Sequence, residues 1–119
     1  MGGLSEHYET PKLAITIQAV SARVVIKIVG ELDVDSELTM TAAVNRITVR
    51  PDAASMLLVD VAGVSSIDSS GLLALMFARQ AALDRGLGFE LRAPAKGIVR
   101  KRLTEQGLAS LLEPAKPVL

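Results

Sequence analysis

Residues Leu57–Phe77 read LLVDVAGVSSIDSSGLLALMF, and this stretch determines how the rest of the chain is interpreted. The aliphatic run from Met56 to Val61 predicts a strand buried on both faces. The run that begins at Leu72 is apolar and rich in helix-forming residues. Between the two runs lies a polar corner, DSSG, at Asp68–Gly71. The stretch therefore predicts a strand, a loop and a helix, in that order.

The polar residues of this corner have an ordinary structural role to weigh first. Serine and aspartate oxygens accept hydrogen bonds from the first-turn N–H groups of a helix, which have no partner within the helix. One oxygen is enough for a cap, yet this turn crowds together Ser65, Ser66, Asp68, Ser69 and Ser70. Capping and a functional site are both open at this point.

Length and composition exclude several classes of protein. The 119 residues predict one domain with an aliphatic core, because half of them are hydrophobic and only 3% are aromatic. Acidic and basic residues number 13 each, so no strongly basic surface for nucleic acid is expected. The short basic cluster Arg100–Arg102 is interpreted as a solvated helix face. There is no cysteine, which excludes disulfides and thiol chemistry.

The chain ends predict the domain boundaries and the location. Residues 1–11 are polar and glycine-bearing, and we expect a flexible tail there, followed by the folded domain at 12–113 and a second tail at 114–119. The N-terminus lacks the basic and apolar segments of a secretory signal. No apolar run approaches the roughly 20 residues that span a bilayer. We therefore expect a soluble, cytoplasmic protein without direct membrane binding.

Hydrophobic periodicity predicts the remaining elements. Two closely spaced strand patterns, Leu13–Gln18 and Val24–Val29, predict a hairpin that Gly30 ends. A helical pattern then follows from Ser36, with apolar positions at Met40, Ala43, Val44 and Ile47 and an end at Pro51. The strand that follows it is central and parallel, joined by a right-handed crossover.

The last third of the chain continues this alternation of helices and strands. The helix from Ser69 is apolar on nearly all sides for two turns, so we expect its first half to be deeply packed. A strand at Phe89–Arg92 and a helix that Pro94 opens and Gly107 ends complete the pattern. The sequence predicts an α/β fold: a mixed sheet of about four to five strands, with an N-terminal hairpin and parallel central strands, packed by helices.

Three motifs in this order resemble the STAS domain family, which includes bacterial anti-sigma factor antagonists and sulfate-transporter tails. They are GELD at 30–33, the segment from Val59 to the DSSG corner and Leu72, and VRKRLTEQGL at 99–108. Leu108, Leu111 and Leu112 would form the small apolar patch that follows the family's last helix. The resemblance implies a STAS-like fold and a phosphoryl acceptor at the serine that follows the aspartate, Ser69.

The resemblance also implies a partner-switching role. The unmodified protein would bind an anti-sigma factor that is also a serine kinase, freeing the sigma factor, and phosphorylation of Ser69 would end binding. A serine phosphatase would reset the protein. The implied contact residues for the partner or kinase are Asp33, Ser66, Ile67, Asp68, Ser70 and Gly71. No cofactor or metal is implied, and the oligomeric state is open.

Other functional classes were compared with this interpretation. An enzyme is not expected, because a catalytic serine needs a base and the single histidine, His7, falls in the predicted tail. A receiver domain would use Asp60, but no acidic pair follows the first predicted strand to hold Mg²⁺. A structural STAS subunit of a larger assembly, in which Ser69 only caps a helix, and a small-molecule or nucleotide-binding module stay open.

Overall fold

The computed structural model describes residues 5–48 and 55–116. Its elements follow one another in this order: β1 (Ser5–Glu9), β2 (Leu13–Val20), β3 (Arg23–Leu32), α1 (Glu37–Thr48), β4 (Met56–Ile67), α2 (Ser69–Asp84), β5 (Gly88–Arg92), α3 (Ile98–Glu105) and a 3-10 helix (Ala109–Leu112). Pro51, where we predicted the end of the first helix, and the side chain of Ile47 lie outside the described part. The predicted order of helices and strands is confirmed.

The five strands form one mixed sheet in the order β1-β2-β3-β4-β5. The β1–β2 and β2–β3 pairs are antiparallel, whereas β3–β4 and β4–β5 are parallel. The predicted N-terminal hairpin and parallel central strands are therefore confirmed. Both parallel connections contain a helix, so the N-termini of α1 and α2 lie at the same edge of the sheet, where β3 and β4 end.

The hydrophobic core lies on one face of the sheet. Alternate residues of the strands point to that face, for example Ile15, Ile26, Val59 and Phe89, all with no exposed surface. They join one cluster with side chains from all three α-helices. The opposite face is exposed in places, as at Lys27 of β3, but Leu58 of β4 is only 4% exposed there. Near its start β4 is therefore buried on both faces, as predicted, whereas strands such as β2 alternate buried and more exposed residues.

Strand β4 is longer than predicted, and the expected loop before Asp68 is wrong. Its register against β3 shifts within Lys27–Val29 and again within Gly30–Glu31, where β4 carries the extra residue each time. Such bulges return the side chains to the same face after three residues instead of two. Val61, Val64 and Ile67 are all buried as a result.

Asp60 therefore lies within β4 and not near its end. Its Oδ1 accepts a hydrogen bond of 2.9 Å from the Ala62 N–H, at the first bulge. A receiver domain would need this carboxylate at the end of a strand, and Asp60 does not lie at such a position.

Both predicted tails contribute to the sheet in part. Ser5–Glu9, within the predicted N-terminal tail, pairs with β2 because a polar strand at a sheet edge needs only its backbone to bond. Ala115, within the predicted C-terminal tail, exchanges two backbone hydrogen bonds of 2.8 Å with Phe89 of β5. Gly30 does not end its strand either, since β3 continues to Leu32.

Two helix predictions need correction. Helix α3 begins at Ile98 after the N-cap Gly97, while Pro94 starts the preceding turn by accepting from the Gly97 N–H at 3.0 Å. Its predicted end at Gly107 agrees with the structure, in which α3 ends at Glu105. Helix α2 is not packed on all sides in its first half, because three large apolar residues of its outward face are exposed: Leu73, Met76 and Phe77.

Candidate functional site

The DSSG corner is built where two parallel strands end side by side. Leu32 pairs with Ile67 at the last position of β3 and β4. The next residue after Ile67, Asp68, donates its N–H to the Leu32 carbonyl at 3.3 Å. This contact places the loop that begins at Asp33 next to the start of α2.

Asp68 is the N-cap of α2. Its backbone is extended, and its Oδ1 accepts a hydrogen bond of 2.9 Å from the Gly71 N–H. The Asp68 carbonyl accepts the first intrahelical bond, from Leu72 N–H at 3.0 Å. The capping role that sequence patterns allow for any of the clustered polar residues therefore falls to the aspartate.

Gly71 allows α2 to approach the end of β3 closely. A Cβ atom built at this position would lie 2.2 Å from the Leu32 carbonyl oxygen and 2.7 Å from Cγ1 of Ile67. Real Cβ atoms essentially never make contacts this short. Glycine is needed here because of the available space, and the helix N-terminus is fixed against the strand ends as a consequence.

The serines of the corner differ in exposure. Ser69 is exposed in the first turn of α2, and its hydroxyl makes no hydrogen bond to the described residues, whereas Ser70 is half-buried. Ser66, the second-last residue of strand β4, is exposed. Ile67, which we placed among partner contacts, is only 7% exposed and packs in the core, because the second bulge turns it inward.

The Asp33 loop is stabilised by its own polar network. Asp33 Oδ1 accepts from the Asp35 N–H at 3.0 Å and from the Ser36 N–H at 3.3 Å. Ser36 is only 4% exposed. Its hydroxyl accepts a hydrogen bond of 2.6 Å from the Asp33 N–H and lies 3.1 Å from the Glu31 carbonyl oxygen, to which it can donate. Asp33 and Ser36 therefore have a structural role in the turn that leads into α1.

The β1–β2 turn adds a surface next to this loop that sequence reasoning missed. A cavity of about 180 Å³ lies between the turn Thr10–Lys12 and the residues Asp33, Asp35 and Ser36. The Lys12 ammonium lies 3.6 Å from an Asp35 carboxylate oxygen, and both side chains are mostly exposed. An exposed pair of this kind contributes little stability. Thr10 and Pro11 fall within the predicted tail, so no sequence signal pointed to this surface.

The described residues contain no arrangement of a nucleophile with a base at Ser69. His7 lies on the edge strand β1, where its ring nitrogens are 3.2 Å from Thr16 Oγ1 and 2.9 Å from Glu9 Oε1. Within residues 5–48 and 55–116, no group of three or more histidine, aspartate or glutamate side chains is placed to hold a metal ion. Over the same residues, no helix combines the length and the apolar character needed to cross a bilayer.

Comparison with known proteins identifies the family. A family model described as "Mlab, STAS domain" matches residues 15–113. No curated protein sequence matches this chain at a significant level.

Solved structures share the fold at low sequence identity. An anti-sigma factor antagonist from Mycobacterium paratuberculosis has a TM-score of 0.72 and 18% identity over 88% of this chain and 87% of that one. The anti-sigma factor antagonist SpoIIAA, unphosphorylated, has a TM-score of 0.67 and 22% identity over 83% and 85%. A sulfate transporter family protein from Wolinella succinogenes has 0.65 and 16% over 80% and 75%. The fold and the family match together show that the chain belongs to the STAS domain family.

Proposed function

We propose that this protein is an anti-sigma factor antagonist whose binding is switched at Ser69. The observation that carries the proposal is the division of roles at the corner: Asp68 caps α2, which leaves the Ser69 hydroxyl exposed and unbonded among the described residues. A serine needed only as a cap would have its oxygen turned to the helix N–H groups. Ser69 is instead open to a kinase.

The fold supports a phosphate at this position. A phosphoserine adds about −1.5 to −2 charges. The first-turn N–H groups of α2 and the helix dipole stabilise negative charge there, and α2 is 16 residues long. We therefore propose that modification changes the surface of the protein and leaves its fold intact.

A partner packed over the same turn would not accept the phosphate. The dianion would be desolvated beside the Asp68 carboxylate, which costs several kcal/mol unless the partner supplies new cations. A penalty of about 4 kcal/mol weakens binding roughly a thousandfold. Phosphorylation would thus release the partner through local charge and desolvation alone.

The partner in this proposal is an anti-sigma factor with serine kinase activity, which transfers the terminal phosphoryl group of ATP to Ser69. A serine phosphatase would restore the binding form. The fold neighbours that are anti-sigma factor antagonists support this general role. SpoIIAA has also been solved in a phosphorylated form. We propose a cytoplasmic protein that binds no nucleic acid.

The test is an affinity capture from lysate of the source bacterium with Ser69→Ala and Ser69→Glu baits. The Ala bait is expected to retain an ATP-binding, kinase-like protein that the Glu bait loses. Ser110→Glu is the matched control, because Ser110 is an exposed serine on the 3-10 helix and the substitution adds the same charge. This control is expected to bind as the unmodified chain does.

Two results would contradict the proposal. If the Ala bait recovers no kinase-like protein, the antagonist role fails. If the Ala and Glu baits retain the same set of proteins, Ser69 is no switch, and the chain acts as a structural STAS subunit of a larger assembly.

A further inference from the structure

The outward face of α2 carries an apolar strip that starts at the proposed switch. The exposed residues of this helix are Ser69, Leu73, Met76, Phe77, Gln80 and Asp84. At about 100° per residue they share one side of the helix, opposite the buried side. Leu73 is 57% exposed, and Met76 and Phe77 are each 39% exposed. These three residues follow Ser69 directly along that face.

Helix α1 and the loop before it carry further exposed apolar residues. The helix packs beside α2 on the same face of the sheet, and its first turn carries Leu38, which is 82% exposed. Val34, in the loop before it, is 62% exposed. We define the outer ridge as Val34, Leu38, Leu73, Met76 and Phe77. Exposed apolar residues scattered singly are normal, but the ridge holds most of the large ones in the described part of the chain.

We propose that the outer ridge is a docking surface for a protein partner that also covers Ser69. The inference rests on the proposed function and identifies the chemistry of the partner. The partner's contact surface carries an apolar strip about 12 Å long, which matches the distance along the helix axis from Ser69 to Phe77. One end of that strip covers Ser69, and the rest covers Leu73, Met76 and Phe77 in the next two turns of α2.

The charges at the ends of the ridge favour a protein over a membrane. Asp68 and Asp33 lie at the Ser69 end, and Asp84 is exposed at the other end. At the Asp84 end, however, the C-cap Arg85 is also exposed and Arg79 is partly exposed, so carboxylates predominate only at the Ser69 end. Anionic lipid surfaces attract basic segments and repel carboxylates. The complementary surface is therefore apolar, with basic side chains at the end that covers Ser69, as a protein partner can provide.

The ridge and the switch act independently. Phe77 lies about 12 Å along the helix from Ser69, and the free-energy effects of substitutions this far apart usually add. A change at Phe77 thus weakens binding without altering the effect of charge at Ser69. Affinity should fall by the same factor for the unmodified protein and for Ser69→Glu.

The experiment measures the dissociation constant of the purified kinase-like protein, recovered with the Ser69→Ala bait, by isothermal titration calorimetry. We expect Leu73→Ser and Phe77→Ser each to raise Kd by at least about tenfold, as for truncated central contacts. Val20→Ser is the matched control, because Val20 is 51% exposed in the hairpin at the opposite end of the sheet. Its Kd should change less than about twofold.

The outcomes separate the two proposals. If both ridge variants bind as tightly as the control, the ridge has no docking role, while the switch at Ser69 still stands if Ser69→Glu loses binding. If Ser69→Glu binds normally and the ridge variants do not, the switch fails and the docking surface stands. Self-association abolished by Phe77→Ser in sedimentation velocity, or Leu73-dependent flotation with phosphatidylglycerol vesicles, would assign the ridge to a second copy or a membrane and overturn the proposal.

Discussion

Replacing Gly71 by alanine tests how closely α2 approaches the end of β3. In an ordinary helical position this change stabilises a protein by about 1 kcal/mol, because alanine has the higher helix propensity. Here the new Cβ would lie 2.2 Å from the Leu32 carbonyl oxygen and 2.7 Å from Ile67 Cγ1. Ordinary contacts begin at about 3.5 Å, so the helix must move away from Leu32 by roughly 1 Å.

The two penalties exceed the gain. Overpacking of this kind costs about 1–3 kcal/mol. Moving the helix also lengthens the Asp68 N–H to Leu32 bond, which is already 3.3 Å, and losing it costs about 1 kcal/mol. After subtraction of the propensity gain, we expect Gly71→Ala to lower the free energy of unfolding by about 2 kcal/mol. With a urea m-value of about 2 kcal/mol/M, the midpoint falls by roughly 1 M.

Urea denaturation at 25 °C, followed by circular dichroism, measures this shift. Ser70→Ala is the control, since residue 70 already carries a Cβ in the same helical turn, and its midpoint should change by less than about 0.3 M. An equal or higher midpoint for Gly71→Ala than for the unmodified chain would refute the close approach of α2 to Leu32.

Two further predictions concern the polar groups that shape the same edge. Asp68→Ala removes the N-cap and should lower the free energy of unfolding by about 1 kcal/mol, whereas Asp68→Asn, an equally good cap, should change it by only a few tenths in the same denaturation assay; equal losses for both would mean that the charge and not the cap matters. Ser36→Ala leaves the Asp33 N–H and the Glu31 carbonyl without the buried hydroxyl and should cost about 1–3 kcal/mol, while Ser110→Ala, on the surface, should cost almost nothing; an unchanged midpoint for Ser36→Ala would show that water replaces the hydroxyl.

Periodic patterns predicted the sheet and the helices well where one face of an element is buried. Ile15 and Ile17 of β2 alternate with less buried residues, and Met40 and Val44 of α1 recur at helical spacing on the core side. In these elements the local pattern and the tertiary environment agree, so one sequence was sufficient.

The bulges of β4 were missed because they break the period of two on which strand prediction depends. Val61, Val64 and Ile67 recur every three residues, a spacing that fits neither a regular strand nor a helix over so short a run. The three-residue spacing of these apolar residues is nevertheless visible in the sequence, and it is the signal that two bulges would leave.

The edge strand β1 gave no hydrophobic signal at all. Its residues Glu6, His7 and Glu9 are charged or polar, and only Tyr8 packs partly against the core. Charged side chains on an edge strand prevent pairing with other chains, so the property that protects the edge also conceals the strand from pattern analysis.

The exposed face of α2 could be predicted only once its buried face is known. Leu72, Leu75 and Ala78 on one side and Leu73, Met76 and Phe77 on the other are equally apolar in sequence, so composition alone predicted packing on both. Only one side of α2 can pack against the sheet, where α1 occupies the neighbouring position. No described element covers the outward side of α2, so that side is exposed.

The two open alternatives for the corner, cap and functional site, are therefore not exclusive. Asp68 satisfies the helix N-terminus and Gly71 holds it against Leu32, so the backbone of the corner is fixed without any contribution from the Ser69 hydroxyl. A substitution at Ser69 should then alter binding without unfolding the domain. This separation makes Ser69→Glu informative: a loss of binding with an unchanged urea midpoint could be attributed to the surface charge, since the fold does not depend on that hydroxyl.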